Sequence, residues 1–177
     1  MQPGRLLRIF FFCIFSSLSA AHFLLNYPTS IGFDDANEAI GPCGGTILNL
    51  ATENNITFFR VGGDTIAITN THPTTTFLFR AALGQNAGNS TKWTLLEPPM
   101  QQVGLGSWCI QQFPVPSTFA GSDGIIQIIS DAPDGILYQV SELLITSIKP
   151  LKLQAKTLTK LSLVCCGEFP PWRRPVQ

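Results

Sequence analysis

Short apolar runs cut by glycine and proline turns constrain this chain more than any other feature. Ile56 to Val61 (ITFFRV) stops at Gly62-Gly63-Asp64 and Thr65 to Thr69 (TIAIT) follows at once, the pattern of a hairpin. Phe77 to Leu83 runs up to Gly84-Gln85-Asn86, and GIIQIIS (Gly124 to Ser130) and GILYQV (Gly135 to Val140) flank the turn Asp131-Ala132-Pro133-Asp134. No segment has a convincing 3.6-residue apolar period, and 15 Gly with 13 Pro in 177 residues leave little room for long helices. The expected fold is all-β, an antiparallel β-sandwich. Phe23, Phe58, Phe77 and Phe79 are expected in its core. The stretch from Gly84 to Pro116, broken at Glu97-Pro98-Pro99 and Gly104-Leu105-Gly106, reads as loop-rich.

Charged residues are 12% of the chain and the formal net charge is zero, so the basic face of a nucleic-acid binder is missing. Residues 1–21 have the form of a secretory signal peptide. Arg5 and Arg8 precede the short apolar run Ile9 to Phe15, and Ser19 and Ala21 are the small residues a signal peptidase needs. Cleavage there would make His22 the first residue of a secreted protein. Cys43, Cys109, Cys165 and Cys166 would then meet an oxidising compartment that favours disulfides, with the pairing left open. Asn55 and Asn89 open glycosylation sequons.

After that cut the chain keeps two histidines, His22 and His72. A terminal histidine chelates through its α-amine and its imidazole Nδ1. A third nitrogen from His72 would complete the tetragonal nitrogen set that Cu(II) prefers, a histidine brace. His72 follows the TIAIT strand directly, at one end of the expected sandwich, where binding residues often concentrate.

The sequence HFLLNYP from His22, then Gly32-Phe33-Asp34-Asp35, Glu38 and Gly41-Pro42-Cys43-Gly44-Gly45, resembles the N-terminus of the fungal copper-acquisition factor family. These are secreted, usually GPI-anchored proteins related to lytic polysaccharide monooxygenases. The likeness continues through Val61 to Asp64, His72, Gly104 to Cys109 and Ile126 to Gln139. It implies an immunoglobulin- or fibronectin-like antiparallel β-sandwich of the monooxygenase-like type. It also implies one Cu(II) ion held by His22, His72 and an aspartate. Asp123, just before GIIQIIS, is the expected aspartate and Asp35 the alternative; Asp34, Asp35 and Glu38 otherwise read as a solvated acidic turn. The implied role is copper acquisition at the fungal cell surface, with a cell-surface copper transporter as partner. A carboxylate ligand stabilises Cu(II) against reduction, which favours capture over catalysis. A copper-dependent polysaccharide monooxygenase and a metal-free cell-wall structural protein are the alternatives.

The resemblance breaks after Gln139. The family pattern implies a cysteine soon after Tyr138-Gln139, where this chain has Val140-Ser141-Glu142. Residues 22–139 hold three basic and nine acidic side chains, whereas residues 140–177 hold six basic and two acidic. The expected organisation is therefore a leader at 1–21, a copper-binding domain at 22–139 and an atypical tail at 140–177. The tail lacks the Ser-rich stalk and the apolar end of a GPI signal. Val-Ser can be encoded by the usual opening of a spliceosomal intron, so the tail reads as translation of a retained intron. The alternation from Leu151 to Leu163 supports the competing reading, a basic edge strand.

Overall fold

A computed structural model of the chain describes residues 22–48, 56–84, 87 and 92–147. Among them the strands in chain order are β1 (Phe23–Tyr27), β2 (Thr57–Arg60), β3 (Asp64–Asn70) and β4 (Thr74–Leu83), then β5 (Thr94–Val103), β6 (Gly106–Phe113), β7 (Asp123–Ala132) and β8 (Gly135–Thr146). They make a three-stranded sheet, β1-β3-β6, and a five-stranded sheet, β2-β8-β7-β4-β5. Every neighbouring pair is antiparallel except β2 and β8, which run parallel. The expected β-sandwich is therefore present, with one parallel pair at an edge of the larger sheet.

The period-2 alternation puts one face of each sheet into a shared core. Phe23, Leu25, Ile66, Ile68 and Trp108 come from the smaller sheet, and Phe59, Phe77, Phe79, Ile126, Ile128 and Leu143 from the larger. Phe77 lies at the centre, 5.6 Å from the Phe23 ring, edge to face, and 5.4 Å from Trp108. Each such side chain contributes roughly 1.5–3 kcal/mol by leaving water. In β2 the buried phenylalanine is Phe59 and not the expected Phe58, which is half-buried. A run with two adjacent phenylalanines does not reveal which one faces inward.

Three further expectations are corrected. The run ending at Val61 and the run from Thr65 do not pair as a hairpin, because β2 joins the larger sheet and β3 the smaller. The turn between them is clamped by Arg60, whose Nε and Nη2 donate to the Gly63 carbonyl at 2.9 and 2.7 Å. Gly63 takes φ +115°, and a Cβ there would come within 3.0 Å of the Gln112 backbone. The supposed loop from Gly84 to Pro116 contains β5 and β6. β5 is an exposed edge strand, so it tolerates Pro98 and Pro99 and shows no apolar alternation.

The last strand crosses residue 139, where the composition shift placed the end of the domain. Val140, Ser141, Glu142, Leu143 and Ile145 are all buried, and Leu143 to Thr146 pair with β2. The sandwich thus includes residues up to Thr146. The Leu151–Leu163 alternation, the leader, both sequon asparagines and Cys165-Cys166 lie outside the described residues.

Candidate metal centre

The site begins where the start of β1 meets the end of β3. Their antiparallel register places Phe23 opposite Asn70, and so His22 opposite Thr71. Thr71 holds His22 three times. Its N–H donates to the His22 carbonyl at 3.1 Å, its hydroxyl donates to the same oxygen at 2.6 Å, and Oγ1 accepts the His22 N–H at 2.8 Å.

The His22 imidazole turns toward the loop from Ile31 to Leu48, which packs over β8. Its Nδ1 lies 2.8 Å from Glu38 Oε2. Glu38 is buried, and its other oxygen accepts from Gln139 Nε2 at 2.7 Å. Gln139 also accepts the Leu25 N–H at 2.9 Å and donates to the Phe23 carbonyl, so one β8 side chain ties Glu38 to β1. Main-chain bonds fix the loop as well: the Tyr138 N–H donates to the Glu38 carbonyl at 2.8 Å, and Ile31 N–H to Val140 O at 2.9 Å.

The Pro-Cys-Gly-Gly motif has a local reason here. Gly44 takes φ +63°, and a Cβ on it would sit 2.5 Å from the Tyr138 carbonyl, so only glycine lets the loop lie this close to β8. Gln127 Nε2 donates to the Pro42 carbonyl and holds the same loop from β7.

Burial drives the Glu38 pKa above its ordinary value of 4.5, against the opposing hydrogen bonds from Gln139 and His22. Its reading as part of a solvated turn is therefore corrected: Glu38 is interior, while Asp34 and Asp35 are exposed. His22, Asp35 and Glu38 bring one ligand-type atom each to within 4.8 Å of one another, a set able to hold a metal ion.

His72 sits on the turn that leads from β3 into β4. Asn70, buried at the end of β3, accepts the His72 N–H at 3.2 Å and donates to the His72 carbonyl at 3.2 Å. It also bonds Thr75 Oγ1 at 3.0 Å, which pins the turn to the start of β4. His72 is 3% exposed, and its Nε2 is buried with no aligned hydrogen bond. The nearest acid is Asp134, on the β7–β8 turn, with Oδ1 at 3.3 Å.

The structure brings Asp123 to neither histidine. Asp123 opens β7, and its carbonyl accepts the Gly84 N–H at the far end of β4. At about 3.3 Å per residue, the length of β7 puts it roughly 30 Å from the turn that carries Asp134. β7 runs antiparallel to β4, so the residue near His72 is the one after β7 and not the one before it. Asp35, the alternative, is close to His22. Glu38, beside His22, and Asp134, beside His72, were not among the expected ligands. The signal available for Asp134 was the strand order, since the β7–β8 turn and the β3–β4 turn share one end of the sandwich.

Cys43 keeps a thiol, which burial pushes above its ordinary pKa of 9.0, whereas Cys109 is disulfide-bonded, so these two are not bridged to each other.

Residues 20–147 match the model of a family described as copper acquisition factor BIM1-like. A lytic polysaccharide monooxygenase-like protein X325 of Yarrowia lipolytica is 30% identical over 127 residues, which are 67% of this chain and 46% of that protein. An uncharacterised protein of Aspergillus fumigatus is 32% identical over 138 residues, 73% of this chain and 55% of that protein. The chain spans about half the length of these two relatives.

Proposed function

The chain belongs to the BIM1-like copper acquisition factor family, and from that premise we propose that it captures one Cu(II) ion outside the cell. His22 supplies the α-amine freed by removal of the leader together with Nδ1, and His72 supplies Nε2. Asp134 takes the carboxylate role that the sequence assigned to Asp123, and Asp35 and Glu38 add negative charge beside His22. The protein passes its copper to a transporter at the cell surface.

The observation that carries this reading is the buried His72 Nε2. That nitrogen has no aligned hydrogen bond, only Asp134 Oδ1 at 3.3 Å, and a metal ion there would satisfy it. Asp134 at 3.3 Å makes the pair a mixed nitrogen and oxygen donor set, which suits a cupric ion. The backbone pairing of His22 with Thr71 puts the second histidine one residue along the chain from the first one's partner.

Calorimetric titration with Cu(II) tests the proposal. The form beginning at His22 is expected to bind one equivalent far more tightly than a form with one extra residue before it. Equal affinities would leave only adventitious binding. The name of the Yarrowia lipolytica relative favours a second reading, copper-dependent polysaccharide oxidation with the same ligands. Peroxide-dependent release of oxidised oligosaccharides by the copper-loaded protein would support that reading.

A further inference from the structure

Thr71 makes more contacts to His22 than a strand end needs, and they bear on the atom that would become the copper-binding amine. One main-chain bond, Thr71 N–H to His22 carbonyl at 3.1 Å, would close the register. The hydroxyl adds two more, accepting from the His22 nitrogen at 2.8 Å and donating to the His22 carbonyl at 2.6 Å. We propose that Thr71 is the positioning residue for the copper-binding α-amine, holding it in register with His72 before and after metal binding. This inference rests on the copper reading of His22.

The chemistry distinguishes the Thr71 bond from the Glu38 bond. Nδ1 of an imidazole has one in-plane site, so copper on Nδ1 ends the hydrogen bond to Glu38 Oε2. A coordinated amine gives its lone pair to the metal and keeps two N–H bonds. One of these can still point at Thr71 Oγ1. The hydroxyl donates to the His22 carbonyl, so its lone pairs are left facing the nitrogen. The pair therefore sets the direction of the amine lone pair, a preorganisation that lowers the ordering cost of chelation. Asn70 fixes the His72 main chain by its own two bonds, so both histidines of the brace are referred to one short stretch of chain, Asn70 to His72.

The test uses the form that begins at His22. Thr71 is exposed, so Thr71→Val keeps the β-branched shape at a surface position and removes only the hydroxyl. T71V is expected to bind Cu(II) about tenfold more weakly, because the amine loses the contact that orients its lone pair before chelation. It is also expected to shift the Cu(II) electron paramagnetic resonance parameters. T71S restores the hydroxyl and is expected to recover both within about twofold. Should T71V fail to fold, T71A carries the same two expectations. Wild-type affinity with an unchanged resonance spectrum in the hydroxyl-free variant would overturn the role of Thr71. Equal binding by the wild-type form and its N-terminally extended version would instead overturn the copper reading beneath it.

Discussion

Nδ1 of His22 lies 2.8 Å from Oε2 of Glu38, and this contact joins the residue just before β1 to a buried carboxylate held by β8. Copper on that nitrogen would break the bond, so Glu38 would compete with the metal. It also places a negative charge beside the incoming dication. A charge-assisted hydrogen bond is worth about 1.5–3 kcal/mol. A dication and a carboxylate ~5 Å apart attract with about 7 kcal/mol at an effective dielectric near 20, before screening. The attraction wins. Glu38→Gln should therefore weaken Cu(II) binding by at least about tenfold in a competition titration. Tighter binding by E38Q would show that breaking the Nδ1 hydrogen bond outweighs the attraction between the charges.

The same carboxylate makes a stability prediction for the metal-free protein. Burial raises the Glu38 pKa above 4.5, so folding favours its protonated form. A carboxyl raised in the folded state gives stability that is fully present below the unfolded value. That stability is lost as pH rises through the folded value. E38Q is neutral throughout and lacks this dependence. In urea unfolding from pH 4 upward, wild type should lose stability relative to E38Q as pH rises. A wild type that gains on E38Q over that range would mean the His22 and Gln139 bonds outweigh burial.

The two aspartates at opposite ends of β7 separate the two expectations for a third ligand. Asp134 lies 3.3 Å from His72 Nε2, while Asp123 bonds to Gly84 at the other end of the sheet. Asp134→Asn should reduce Cu(II) affinity about tenfold or more and change the copper spectrum. Asp123→Asn should leave both as they are. The reverse result would restore the sequence-based choice and reject the placement of the metal at the β7–β8 turn.

These residues also show how far the sequence could be read. The two-layer architecture follows from alternation and turns; β3, β4 and β7 lie within a few residues of the runs that announced them, while β8 continues past Val140 to Thr146. β5 was hidden because an exposed edge strand needs no apolar face and can carry Pro98-Pro99. His22 and His72 stood out by rarity and terminal chemistry. Glu38 did not, because nothing local distinguishes an acid on a turn from one covered by β8 and satisfied by Gln139, 101 residues away. The end of the domain was misplaced because charge changes sign near residue 140, while β8 stays apolar at Val140, Leu143 and Ile145. Composition averages over a tail most of which lies outside the described residues.

The register of β2 tests that last point directly. Phe59 is fully buried and Phe58 half-buried, and a slip of one residue would exchange them. Phe59→Ala should cost about 3–5 kcal/mol in urea unfolding, the range for deleting a core phenylalanine. Phe58→Ala should cost less than half of that, since it leaves a cavity partly open to water. Phe59 pairs with Ile145 in the parallel ladder, so the same experiment reports on the end of the sandwich. Ile145→Ala should cost about 2–5 kcal/mol as a core aliphatic truncation. A negligible effect at Ile145 beside a large one at Phe59 would detach the end of β8 from the folded unit and return the domain boundary to the neighbourhood of Gln139.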